Sequence, residues 1–115
     1  MDIAPSLTAQ NLLTLRAGTP APLVIDVRRE TVFQSAPDLM AGALRRDPAT
    51  VADWGATLPA AQHIVVYCVH GHEVSQNAAK SLRERGLPAQ FLEGGLEAWR
   101  AAGGSLTANT AQKKS

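Results

Sequence analysis

Cysteine is almost absent from this 115-residue chain: Cys68 is the sole one. An internal disulfide is therefore excluded, and this usage suits a reducing cytosol, so a cytoplasmic location is expected. Excess charge of one sign is also lacking. Eleven Lys and Arg against ten Asp and Glu leave a net charge of +1. No run of Lys or Arg builds a patch beyond the tail pair Lys113-Lys114, so neither nucleic acid nor a membrane surface is an expected partner. No apolar run approaches the roughly 20 residues needed to cross a bilayer. The opening "MDIAPSLTAQ" places an acid where a signal peptide carries positive charge, and no apolar stretch follows it. No internal repeat is visible. With 45% hydrophobic and 18% charged residues, the chain reads as an ordinary globular domain with a single modest core.

Segment types alternate along the sequence. Ser6 to Gly18 reads as a helix, with Thr8 as N-cap, Leu12, Leu13 and Leu15 in apolar spacing, and Gly18 as the stop. Pro22 to Arg28, "PLVIDVR", is a short branched apolar run of the kind buried on both faces of a sheet. A less regular part follows, and "GALRRDP" (Gly42 to Pro48) holds a short strand. Asp47 to Leu58 reads as a helix with Asp47 as N-cap and Pro48 in its first position. "HIVVYC" (His63 to Cys68) is the clearest strand. Ser75 to Gly86 is the clearest helix, with Ser75 as N-cap, Ala78, Ala79 and Leu82 on its apolar face, and Arg83 and Arg85 near its C-terminus. "AQFLEGG" forms a strand and turn, and Gly95 to Gly104 a last helix. From Ser105 to Ser115 the residues are small and polar, the composition of a flexible tail. Alternating strands and helices predict an α/β domain over 3–104. Its sheet is mainly parallel, with helices on both faces.

Ligands of such sheets sit at the carboxyl ends of strands. Cys68 lies there, between the best strand and the best helix. In the intervening "VHGHEV" (Val69, His70, Gly71, His72, Glu73, Val74), Gly71 permits the positive φ that a tight curl of backbone N–H groups requires. The following helix adds the positive end of its dipole. Both features favour an anion at the centre of the loop, and an accessible thiolate is such an anion and a nucleophile. Two other readings compete. An isolated cysteine is most often a small buried hydrophobe. Cys68, His70 and His72 are closely spaced, but a structural zinc needs four ligands and no Cys-x-x-Cys partner exists. No metal or other cofactor is expected.

"VIDVR" (Val24 to Arg28), "AGAL" (Ala41 to Leu44), "VVYCVHGHEVSQNAAKSLRERG" and "LEGGLEAW" (Leu92 to Trp99) together resemble the rhodanese-like family, over about Ile3 to Gly103. The resemblance implies a three-layer α/β/α domain with about five strands. It implies a sulfurtransferase in which Cys68 takes a sulfane sulfur as a persulfide. That sulfur then passes to a thiol, a protein acceptor or cyanide, with thiosulfate or a persulfide as donor. A monomer is the usual state of such an isolated domain. Two departures stand out. Many members carry Arg or Lys in the loop, as in Cys-Arg-x-Gly-x-Arg-Ser, whereas this loop has no permanent positive charge and one negative charge, so dianionic thiosulfate is expected to bind weakly. Ser75 also falls one place late, as in the family's phosphatase and arsenate-reductase branches. The arginine that a Cys-x5-Arg phosphatase needs is replaced by Val74. An oxyanion-handling enzyme and a non-catalytic sulfur carrier or interaction module are the alternatives.

Three further residues are candidates for support. Asp26 ends a strand on the same edge as Cys68. It either bonds the loop or pairs with an arginine such as Arg28, the commoner arrangement. Arg45 and Arg46 follow the "GAL" turn, which in this family comes near the active site, where one of them could supply the missing positive charge; a solvated arginine is the commoner arrangement. Trp54 and Trp99 read as packing residues on helix faces. Gly94 and Gly95 read as a turn needing positive φ.

Overall fold

A computed structural model describes residues 4–59 and 61–109. Two short strands start and extend the chain's main sheet: β1 (Ser6–Leu7) precedes helix α1 (Ala9–Ala17), and β2 (Leu23–Asp26) follows it. Next come α2 (Glu30–Ser35), β3 (Asp38–Met40) and β4 (Leu44–Arg45). A 3₁₀ turn (Pro48–Thr50) leads into α3 (Val51–Gly55), then β5 (Ile64–Tyr67) and α4 (Glu73–Glu84). The series closes with β6 (Ala89–Leu92), α5 (Gly95–Ala101) and β7 (Leu106–Ala108). The main sheet has five strands in the order β1-β6-β5-β2-β4, every pair parallel. β3 and β7 form a separate antiparallel ribbon.

The pleat divides the side chains between two cores. Along β5, Ile64 and Val66 join Ile25, Val51, Trp54, Ala78, Ala79 and Leu82 beneath α3 and α4. Val65 and Tyr67 join Val24, Leu12, Met40, Leu96 and Trp99 beneath α1 and α5. This alternation of period two sends an all-apolar strand into two opposite layers. Ile64, Val65 and Val66 are fully buried, a contribution of about 1.5–3 kcal/mol each by apolar area. The expected three-layer α/β/α domain with five parallel strands is therefore the observed architecture.

Several boundaries differ from the sequence reading. The expected helix over Ser6 to Gly18 begins at Ala9, with Thr8 Oγ1 accepting from the Asn11 N–H. Ser6 and Leu7 instead pair with Phe91 and Leu92. Asp47 caps as expected, its carboxylate accepting from Ala49 N–H at 2.8 Å, but the helix that follows ends at Gly55 rather than Leu58. The irregular part holds α2 and β3. The expected flexible tail from Ser105 is corrected in its first part: Leu106 pairs with Met40, and the buried Asn109 donates to the carbonyls of Phe33 and Ala36. Residues 110–115 of that expected tail lie outside the described residues. Arg100 holds the ribbon to α5 through two 2.9 Å hydrogen bonds to Asp38, which keep that carboxyl below its usual range.

A polar knot lies inside the apolar layers. Asp26 is fully buried and accepts from the Arg28 backbone N–H, from Arg28 Nε and Nη2, and from the Tyr67 hydroxyl at 3.0 Å. The same tyrosine oxygen accepts the Met40 N–H. Burial, with the Asp26 carboxylate beside it, pushes the Tyr67 phenol up, so it stays a hydrogen-bond donor at any ordinary pH. Removing one member of such a pair strands a buried charge. Arg28→Ala should cost about 3–5 kcal/mol in urea denaturation, whereas a loss below about 1 kcal/mol would show that water reaches Asp26.

Candidate active site

Cys68 follows β5 directly, at the carboxyl edge of the central strand, and is 7% exposed. Its loop is held by two neighbours. The first is the start of α5: the N–H groups of Leu96 and Glu97 donate to the carbonyls of Cys68 and Val69, at 2.9 and 3.2 Å. The second is α4, whose Gln76 amide donates to the Gly71 carbonyl at 3.0 Å.

Glycine at two positions makes this approach possible. Gly71 has φ +72°, and a Cβ there would stand 2.6 Å from Gly94 N and 2.7 Å from Leu92 O. Gly95 has φ +61°, and a Cβ there would collide with the Cys68 carbonyl oxygen and stand 2.6 Å from Gly71 N. The cysteine loop and the Gly94-Gly95 turn thus touch backbone to backbone. No side chain fits between them, and L-residues disfavour both conformations.

The loop is shorter than the sequence suggested, because α4 starts at Glu73 rather than after a Ser75 cap. His72 occupies the N-cap position without a side-chain hydrogen bond, and Glu73 and Val74 belong to the first helical turn. Ser75 is therefore fully buried inside that turn, where the Cys68 thiol donates to its hydroxyl at 3.2 Å and the hydroxyl in turn faces the His72 carbonyl at 3.4 Å. A rotated hydroxyl could equally donate to a thiolate. Ser75 is the neighbour of the thiol that sequence reasoning misassigned. Its signal was present as a hydroxyl in the first turn after the cysteine loop, on the helical face nearest the thiol.

Among the described residues, no backbone N–H from Val69 to Ser75 donates to a protein acceptor. These groups are the amides of the loop and the orphan N–H groups of a helix start, which together favour bound negative charge. The thiol opens into a cleft of about 260 Å³ lined by Arg28, Arg29, Val32, Cys68, Val69, His70, His72, Glu73 and Val74. Val32, Val69 and Val74 make its apolar wall. The rings of His70 and His72 lie 5.9 Å apart. Among the described residues, no group of three His, Cys, Asp or Glu side chains is placed to hold a metal ion.

The structure brings the loop candidates together and excludes the outlying ones. Asp26 does not bond the loop; it pairs with Arg28, the commoner of the two arrangements considered. Arg45 is corrected as well: its guanidinium donates to the Arg28 carbonyl at 2.8 Å, reaches Glu30 and lies over the Phe33 ring. Arg46 donates to the Arg45 carbonyl. Neither arginine lines the thiol cleft. Arg45, on β4, turns to Glu30 and Phe33 of α2, and Arg46, just after the strand, folds back on the Arg45 carbonyl.

A parallel α/β/α domain with a cysteine loop between central strand and helix, clamped by a Gly-Gly turn, defines a known class. The family model for the rhodanese-like domain matches residues 8–102, and the chain belongs to that family. A rhodanese-related protein from Thermoplasma volcanium shares the fold with a TM-score of 0.77 and 23% identity, over 90% of this chain and 98% of that one. The rhodanese-like domain of an Anabaena sp. protein has a TM-score of 0.78 and 28% identity, over 92% and 80%. A protein of unknown function from Rhodopseudomonas palustris, described as a possible tyrosine phosphatase, has a TM-score of 0.73 and 26% identity, over 89% and 83%. No curated protein matches the chain. Among the described residues, no helix is long and apolar enough to cross a membrane.

The backbone clamp carries a direct test. Gly71→Ala should destabilise the protein by more than about 2 kcal/mol, from the positive φ and the close backbone atoms together. It should also slow alkylation of Cys68. An alanine variant of unchanged stability and thiol reactivity would show that the loop has room to move.

Proposed function

We propose that the protein is a single-domain sulfurtransferase that carries a sulfane sulfur on Cys68. The observation that supports this best is the setting of the thiol: it lies against the Ser75 hydroxyl, at the head of a loop whose backbone N–H groups have no acceptor among the described residues. The thiol first releases its proton to solvent. The thiolate then attacks the outer sulfur of thiosulfate, the new S–S bond forms as the old one breaks, and sulfite leaves with the electron pair. An acceptor thiolate next attacks the outer sulfur of the Cys68 persulfide, and the Cys68 thiolate is regenerated. The persulfide is itself anionic near neutral pH, and free loop amides stabilise such a charge as an oxyanion hole does. The apolar wall of Val32, Val69 and Val74 suits a polarisable, weakly hydrated sulfur atom.

The phosphatase alternative is weaker. The phosphate-gripping arginine of that chemistry would stand at Val74, and Asp26, buried and paired with Arg28, does not line the thiol cleft. A carrier that delivers sulfur only to a dedicated protein partner uses the same persulfide and differs only in its acceptor. The thiol-dependent cycle fits a reducing, cytoplasmic setting.

Intact mass after brief incubation with thiosulfate tests the reading. The wild type should gain one sulfur atom, lose it on addition of cyanide, and show neither change as Cys68→Ser. No gain from thiosulfate or from a low-molecular-weight persulfide, with turnover of arsenate or an aryl phosphate instead, would move the function to oxyanion chemistry. Ser75→Ala should slow persulfide formation about three- to tenfold, the scale of one ordinary hydrogen bond, while leaving the urea midpoint close to that of the wild type. An unchanged rate would remove Ser75 from the site's chemistry.

A further inference from the structure

The cysteine loop holds no Arg or Lys, and Glu73 adds a negative charge at the mouth of the thiol cleft. Arg28 lines the same cleft, but its side chain is 2% exposed and paired with Asp26. Arg45, at the end of β4, and Arg46, just after it, are bound elsewhere and do not line the cleft. Arg29 differs from all of these. It is exposed, it occupies the N-cap position of α2, and its guanidinium makes no hydrogen bond or ion pair with any described residue. It lines the thiol cleft, and it also lines a larger cleft of about 670 Å³ that runs along α4 past Asn77 and Ser81. Arg29 and Val74 are common to both, so the two clefts meet at this arginine.

We propose that Arg29 is the anion-recognition residue of the Cys68 site, selecting reagents and donors that carry their negative charge beside the sulfur that reacts. The proposal rests on the reactive-thiol reading above. The Arg29 backbone is fixed on both sides: the preceding Arg28 N–H is bound to Asp26 at 3.0 Å, and the Arg29 carbonyl accepts the Phe33 N–H at 2.8 Å. A long side chain on a rigid base, with no competing partner among the described residues, is free to meet an incoming sulfonate or carboxylate in its planar, two-pronged manner. It thereby replaces, from the start of α2, the charge that the loop lacks, and offsets Glu73 in the same cleft. His70 and His72, which also line the cleft, bring no negative charge to it.

The test compares two alkylating agents of nearly equal size on the full-length protein at low ionic strength: anionic iodoacetate and neutral iodoacetamide. The ratio of their rates at Cys68 reads the charge felt by an incoming anion and cancels changes in the thiol itself. Arg29→Gln should lower that ratio about three- to tenfold. Arg29→Lys, which keeps the charge but loses the planar fork, should lower it less than Arg29→Gln does, and Arg46→Gln, an equal loss of charge outside the cleft, should leave it unchanged. In parallel, Arg29→Gln should raise the KM for thiosulfate with kcat little altered. An unchanged ratio in Arg29→Gln, or an equal fall in Arg46→Gln, overturns the role of Arg29 while leaving the thiol reading intact. A Cys68 inert to both reagents overturns both.

Discussion

Two stretches of backbone that touch without side chains between them hold the site together. Gly71 and Gly95 stand in positive-φ conformations, and the backbone of each stretch fills the space where a Cβ on the other would be. Because they can approach so closely, the first amides of α5 reach the carbonyls of Cys68 and Val69. Those hydrogen bonds occupy two carbonyls of the loop, while its N–H groups have no acceptor among the described residues. A loop with bound carbonyls and open donors presents positive partial charge. The electrostatic character of the site therefore follows from a steric fact, the lack of two methyl groups.

The Asp26–Arg28–Tyr67 knot sets a second condition. It joins the end of β2 to the end of β5 and, through Tyr67, to the backbone of Met40 in the ribbon. It also removes Arg28 from the chemistry. The buried carboxylate takes that guanidinium on two of its nitrogens, so an arginine at the very rim of the site is structural. Its neighbour Arg29 takes the opposite path, because the start of α2 turns it outward. Two adjacent arginines thus divide into one that holds the fold and one that faces the cleft.

Much of this was legible in the sequence, for identifiable reasons. β5 and α4 announce themselves through an unbroken branched run and a clear apolar stripe, and the sequence reading places both to within about two residues. The cysteine between them was legible as a reactive candidate because the architecture puts ligands at strand ends. Short elements were not legible. β1 is two residues long, α2 buries only Phe33, and β3 and β7 are stabilised by pairing with each other across a long stretch of chain rather than by any local pattern. Ser75 was mistaken for a cap because serine suits that position in isolation; the helix starts earlier because Gln76 N–H already finds the His72 carbonyl. Arg29 was overlooked beside Arg45 and Arg46, since sequence spacing does not tell which way an edge strand or a helix start turns a long side chain.

The clamp from α5 also governs when the site can come into being during synthesis. The loop at Cys68 leaves the ribosome well before Leu96 and Glu97, the residues whose amides fix it. β1 likewise waits for Phe91 and Leu92, and β3 for Leu106. A nascent chain therefore carries its thiol on an unshaped segment until the last helix has docked, and such non-local closure is slow compared with helix formation. During that interval Cys68 has the reactivity of an ordinary cysteine in an unfolded polypeptide. The shaped site has to wait for the docking of the last helix.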